Sequence, residues 1–331
     1  MFKNIYIEHE VANNSITSNI LKAFPKVPSK EIDKVEDIWG RVKKPYLQKR
    51  DNLNLFIGAK KGTLIKKTPD AYGVNSGEHY YFIHAYNCIY ECKYCYLQGY
   101  FQTPDIVLYV NHDEILEEMQ KIIDTISDEV WFHAGEFSDS LALSHITGEW
   151  QQYFEFFKAN PKAKLELRTK SVNIKSILDL EPLDNVIVSF SLSPEQEAKQ
   201  YDLKTPPTKL RLKAIKQLSD KGFQIGLHFD PVIYSPDYLE KYQELIEDVL
   251  ENCKEKLINY LSIGVVRFPK KIYKEVVKNY PDSPLLAQEF SSTTDEMMRY
   301  PRPMRMKILN DIKKACIKAG LYENKVYLCM E

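Results

Sequence analysis

No stretch of this sequence approaches roughly 18 consecutive apolar residues, so no membrane-spanning helix is expected. The start, MFKNIYIEHEVANN, lacks a basic segment followed by an apolar run, and no signal peptide is expected from it. There is no excess of charge of one sign: 45 Lys and Arg stand against 46 Asp and Glu, a formal net charge of -1. A global basic field for nucleic acid is therefore missing, and contact with nucleic acid would have to come from a local patch. Internal repeats and low-complexity tracts are absent, and no G-x-G-x-x-G follows the first strand candidate, which removes the dinucleotide-binding fingerprint. Without a secretory signal, thiols are expected to stay reduced in a soluble cytoplasmic protein, and clustered cysteines read as metal ligands before disulfides.

What is present is a chain of 331 residues, 44% hydrophobic and 12% aromatic, enough for one large α/β barrel or two ordinary domains. Residues 1–75 alternate short apolar pieces with Lys-rich loops such as AKKGTLIKKTPD, and read as a small N-terminal layer packed on a larger body at 76–331. From Tyr80 onward, β-branched and aromatic runs alternate with amphipathic ones. Strand candidates are 80–86, 129–134, 164–169, 185–191, 223–229 and 260–268; helix candidates are 113–126, 148–160, 171–180, 206–222 and 238–253. The helix at 206–222 has Pro near its start and Gly just past its end, as helix termini prefer. This alternation predicts βαβ units and a parallel sheet. Polar residues stand at successive strand ends: Cys88, Glu136, Lys170, Ser191, Asp230 and Arg267. Barrel active sites form at the C-terminal ends of strands, so the expected fold is α/β, a partial (β/α)6 TIM-type barrel.

Of six cysteines, half fall in CIYECKYCY at 88–96, spaced C-x3-C-x2-C. Four Cys or His ligands would close a structural zinc site, and no fourth ligand lies at usual spacing. Iron–sulfur clusters of four irons normally take four cysteines, so three thiolates leave one iron open to another ligand. A zinc site short of one ligand and a cluster with an open iron both remain readings of the spacing alone. Cys253 and Cys316 lie on amphipathic helices and read as buried, as does Cys329 in YLCME; His133 and His228, inside strand candidates, read as core histidines. Arg302 and Arg305 read either as phosphate ligands or as a barrel cap.

The run Cys88, Cys92, Tyr94, Cys95 resembles the signature of the radical S-adenosylmethionine (SAM) superfamily. More closely, CKYCYLQGYF with IVLYVNHDEILEEM resembles the spore photoproduct lyase family, as do WFHAGEFSDSLALSHIT, LRTKS, FSLSPE and the N-terminal LFIGAKKGTLIKK. The C-terminal MRYPRPMRMKIL and VYLCME resemble a broader group of lyase-like relatives. The resemblance implies a 4Fe-4S cluster on Cys88, Cys92 and Cys95, with SAM chelated to the open iron. Cleavage of SAM then gives a 5′-deoxyadenosyl radical that abstracts hydrogen. It further implies Tyr94 against the adenine, Gly135 and Glu136 at the SAM ammonium, Lys170 at its carboxylate, and Ser191 near the methionyl group. Ser138 joins this segment, competing with Asp139 for the cap of the next helix. Tyr94 and Tyr96 match the family's tyrosine pair. An electron donor such as flavodoxin or ferredoxin is implied as partner.

One family feature is missing. Members carry, just after the second strand, a cysteine that returns a hydrogen atom to repaired thymine; Glu136 stands there in this chain. A carboxylic O–H bond is too strong to replace the weak S–H bond. The expected function is thus a radical SAM enzyme of spore-photoproduct-lyase type, with DNA-lesion repair as one substrate reading. A nucleoside, peptide or metabolite substrate, or a cluster-binding module without catalysis, stands as the alternative.

Overall fold

Alternation along the strands dictates a two-faced sheet. In Ala163–Thr169, Leu165 and Leu167 point one way while Glu166 and Arg168 point the other; in Gln224–Val232, Ile225, Leu227 and Phe229 oppose Gly226, His228 and Asp230. The apolar set packs outward against the helices and forms the main core, with Trp150, Tyr153, Phe157, Phe190 and Phe223 all buried there. The polar set faces the concave side. A computed structural model describes residues 2–38, 52–69, 77–101, 103–292 and 294–329.

All six expected barrel strands are present, in sequence order and in parallel. They are Glu78–Phe82, Val130–His133, Ala163–Thr169, Val186–Ser191, Gln224–Val232 and Ile258–Val265. Two further strands extend the curled sheet to eight: Ile65–Lys67, antiparallel beside the first, and Val326–Leu328, parallel beside the sixth. The last was not anticipated, because the expected helix-strand pattern stops at residue 268. The first strand is shorter than the expected 80–86. Ala85–Tyr86 leaves it and pairs instead with Ile106–Tyr109 in a separate five-stranded sheet.

That second sheet also contains Ile5–Glu8, Ser29–Ile32 and Leu55–Gly58, and has its own apolar core around Ile5, Ile20, Leu55 and Ile57. It thus draws on residues beyond 75, while the expected boundary at 75–76 lies outside the described residues. Helices Thr208–Lys221 and Tyr238–Asn252 cover the convex face. Gly222 closes the first in the left-handed region (φ 102°), its N–H bonding the Leu218 and Ser219 carbonyls. Among the described residues, no helix is long and apolar enough to cross a membrane.

Candidate active site

The concave face opens a cavity of about 320 Å3 at the C-terminal ends of the strands. Cys88, Cys92, Cys95, Tyr94, Tyr96, Gly135, Glu136, Ser138, Lys170 and Ser191 all line it, as do Asp230 and Arg267. Residues spread over five strand ends and one loop therefore meet in one place.

The cysteine loop is fixed from below. Glu91–Cys92 pairs antiparallel with Asp202–Leu203, the Lys93 N–H bonds the Tyr201 carbonyl at 2.8 Å, and Gln98 Nε2 donates to the Cys92 and Lys93 carbonyls. The Tyr94 hydroxyl donates to Asp202, whose other oxygen meets Arg211 Nη1 at 3.0 Å. All three thiols are free of disulfides. Among the described residues no three His, Cys, Asp or Glu side chains converge on a single-ion site.

Lys170 reaches over the Tyr94 ring, its Nζ 5.5 Å from the centroid. Burial opposes its charge, but the Asp202 and Cys92 charges outweigh that and raise its pKa, so it stays an ammonium. Gly135 is needed for close approach: a Cβ there would lie 2.6 Å from Arg168 Cβ. Burial raises the Glu136 pKa, with the Arg168 charge opposing it, and Tyr96 donates to the Glu136 carbonyl. Neither Ser138 nor Asp139 caps the next helix, Ser144–Thr147, which starts at Leu143 without a side-chain cap. Asp139 instead fastens the turn before it, accepting from the Leu141 and Ala142 N–H groups at 3.0 and 2.9 Å. It also accepts from Thr169 Oγ1 at 2.6 Å and the Lys170 N–H at 2.7 Å, so both its oxygens are already engaged.

The deeper wall is a polar cluster of which the sequence suggested only His133 and His228, both as core histidines. Glu166 accepts from His133, from His228 Nε2 at 2.7 Å, from Ser189 Oγ at 2.7 Å and from the Tyr260 hydroxyl. Its Oε1 also lies 3.3 Å from Arg168 Nε. Burial opposes ionisation of Glu166, but the Arg168 and His133 charges and these hydrogen bonds hold its carboxyl well below the usual range. His133 and His228 are satisfied, as expected, yet both line the cavity with Glu166, Arg168 and Tyr260. The signal for them was available: polar residues at every second strand position, where barrel interiors usually carry Val, Ile or Leu. Cys329, expected to be a buried thiol, also lines the cavity. Arg302 is exposed and Arg305 donates to the Tyr300 carbonyl at 2.7 Å; neither lines the cavity.

Comparison with known proteins gives one consistent outcome. Spore photoproduct lyase of Geobacillus sp. (strain Y412MC61) is 26% identical over 205 residues, 61% of this chain and 60% of that protein. Its counterpart from Bacillus subtilis (strain 168) is 26% identical over 209 residues, 62% of this chain and 61% of that protein. Both alignments thus span less than two thirds of the relatives' own length. A spore photoproduct lyase variant solved with bound AdoMet and dinucleoside spore photoproduct has the same fold, with a TM-score of 0.84 and 20% identity. The superposition covers 100% of this chain and 98% of that one. A second solved lyase, complexed with dinucleoside spore photoproduct, gives a TM-score of 0.81 at 20% identity over the same shares. The sequence model of the spore photoproduct lyase family matches residues 2–319, and the chain belongs to that family.

Proposed function

We propose that this chain is a radical SAM lyase that holds a 4Fe-4S cluster on Cys88, Cys92 and Cys95, binds SAM beside it, and acts on spore photoproduct in DNA. The observation that carries this reading is the shared cavity: the C-x3-C-x2-C loop faces Glu136, Lys170 and Ser191 from three successive strand ends. The donor set fits the cluster. Three thiols on one loop, none in a disulfide and, among the described residues, not converging on a single ion, suit ligands spread over several irons better than one zinc. When bound, cluster and SAM supply a carbon-centred radical that abstracts a hydrogen atom from substrate.

The protein's part is to orient and to exclude water. Lys170, kept cationic, is the partner for the SAM carboxylate, and Glu136 the acceptor for its ammonium. Tyr94, fixed through Asp202, offers its ring to the adenine, while Gly135 lets the strand end lie close to Arg168. Ser138 and Ser191 supply hydroxyls on the same wall. A low-potential donor of the flavodoxin or ferredoxin type supplies the electron.

Glu136 favours a second reading. With a carboxyl where relatives have a hydrogen-donating cysteine, the substrate is open to a nucleoside, peptide or small metabolite. One experiment separates the readings. Anaerobically reconstituted protein receives SAM, dithionite and dinucleoside spore photoproduct, and the products are separated by liquid chromatography. Formation of 5′-deoxyadenosine with repaired dithymidine supports lyase action. Formation of 5′-deoxyadenosine alone supports another substrate, and its absence leaves a non-catalytic cluster-binding module.

A further inference from the structure

Three of the six cysteines belong to the motif, and Cys253 and Cys316 are buried in the core on the helical side of the sheet. Among the described residues, Cys329 is the one thiol outside the motif that lines the cavity. It directly follows Val326–Leu328, and its N–H bonds the Ile263 carbonyl at 2.8 Å, which fixes it at the cavity rim. Arg267 Nη2 approaches its Sγ at 3.8 Å, and Arg267 is itself held by two 3.2 Å bonds to Asp230. Ser262 lines the same cavity. This thiol is therefore positioned by its backbone on one side and by Arg267 on the other within the reaction cavity.

We propose that Cys329 is the hydrogen-atom donor that ends the radical reaction in this cavity. The inference rests on the radical reading above and is independent of the substrate's identity. A carbon-centred radical takes hydrogen from the weakest X–H bond within reach. Among the side chains here, the O–H of Glu136 or of Ser262 is strong. The phenolic O–H of the cavity tyrosines is about as weak as S–H, but a thiol delivers hydrogen to a carbon radical faster than a hydrogen-bonded phenol does. Burial first, and then the Asp230 charge, push the Cys329 pKa up, so the group is a thiol at neutral pH and carries the hydrogen it must give. In the step, the Cys329 S–H bond breaks, a C–H bond forms on the substrate, and a thiyl radical is left. One electron from the flavodoxin- or ferredoxin-type donor and one proton from water restore the S–H.

The test combines a label with a reactivity measurement. In D2O the thiol becomes S–D. Reconstituted protein with SAM, dithionite and dinucleoside spore photoproduct should place one deuterium in the product. Deuterium is also read in 5′-deoxyadenosine, so a protein that leaves spore photoproduct untouched still answers through uncoupled cleavage. Cys329→Ser, close in size but with a strong O–H, should lose that deuterium while still forming 5′-deoxyadenosine. Separately, iodoacetamide at an alkaline pH high enough to ionise the raised thiol should alkylate Cys329 in the folded, cluster-free protein and leave Cys253 and Cys316, packed in the core, unmodified. Undiminished deuterium in Cys329→Ser, or a Cys329 that resists alkylation, overturns the donor role alone. Absence of 5′-deoxyadenosine from every protein overturns the radical reading and the donor role with it.

Discussion

Tyr94 hydrogen-bonds Asp202 across 108 residues of sequence, and Asp202 pairs with Arg211 at 3.0 Å with neither charged side chain exposed. The ring beside the last motif cysteine is thus held by a buried ion pair in the segment that pairs with the cysteine loop. Asp202→Asn should leave the Arg211 charge uncompensated, which costs about 3–5 kcal/mol for a buried pair. The urea midpoint measures it. Adding Arg211→Met should recover a large part of the loss, since the unpaired charge goes too. A single variant within about 1 kcal/mol of the parent would mean the pair is screened like a surface one.

Replacing Cys88, Cys92 or Cys95 with Ala should abolish the brown colour and about four irons per chain expected for a 4Fe-4S cluster after anaerobic reconstitution. Cys253→Ala and Cys316→Ala should retain both, because those thiols pack in the core away from the cavity. A colourless parent protein carrying one zinc would contradict the cluster.

Much of this was legible in the sequence because barrel strands are written in period two and their ends in polar residues. Cys88, Glu136, Lys170, Ser191, Asp230 and Arg267 could be placed together from order alone, since parallel neighbours put every C-terminus on one rim. The Glu166 cluster was missed for a physical reason. A histidine inside a strand reads as a core residue until a partner on a neighbouring strand is known. His133, Glu166 and His228 come from three strands, so their meeting depends on pairing register. The strand ending at Leu328 was missed because three residues carry too little periodicity. The same holds for Ala85–Tyr86, which continues the first strand in sequence but joins the other sheet.

Glu149 should make stability depend on pH. Burial raises its pKa from 4.5 to about 7, with a hydrogen bond from Thr147 opposing the rise. Unfolded, the group ionises near its ordinary value; folded, it keeps its proton to about pH 7. The folded state therefore binds more protons between those values, and stability falls as pH rises through that window, by on the order of 3 kcal/mol. His84 and His112, lowered by burial to about 4 and about 3, act in the opposite direction below pH 6.5, the ordinary imidazole value. The difference between parent and Glu149→Gln isolates the carboxyl. Gln should gain relative stability as pH goes from about 4.5 to 7 and no more above it. A parallel pair of urea-midpoint curves across that range would contradict the assignment.

The proposed hold on SAM is tested at Glu136. Asp139 is the other nearby acid, but its oxygens already accept from Leu141, Ala142, Thr169 and Lys170, and drawing it away would unfasten the loop after the second strand. Glu136 faces the cavity, with Tyr96 bound to its carbonyl instead of its carboxylate in the clearest contact. If its carboxylate receives the SAM ammonium, Glu136→Ala removes a charge-assisted hydrogen bond worth about 1.5–3 kcal/mol, roughly tenfold to a hundredfold in affinity. Glu136→Gln keeps an acceptor oxygen without the charge and should fall between parent and Ala. Because burial raises the Glu136 pKa, parent affinity should also weaken as pH drops and the carboxyl takes up its proton. The two variants should lack that dependence. Equilibrium binding of SAM to cluster-loaded protein measures all three, with iron content confirming that the cysteine loop is unchanged. Equal affinities in parent, Gln and Ala would exclude the ammonium role and assign Glu136 to the substrate side of the cavity.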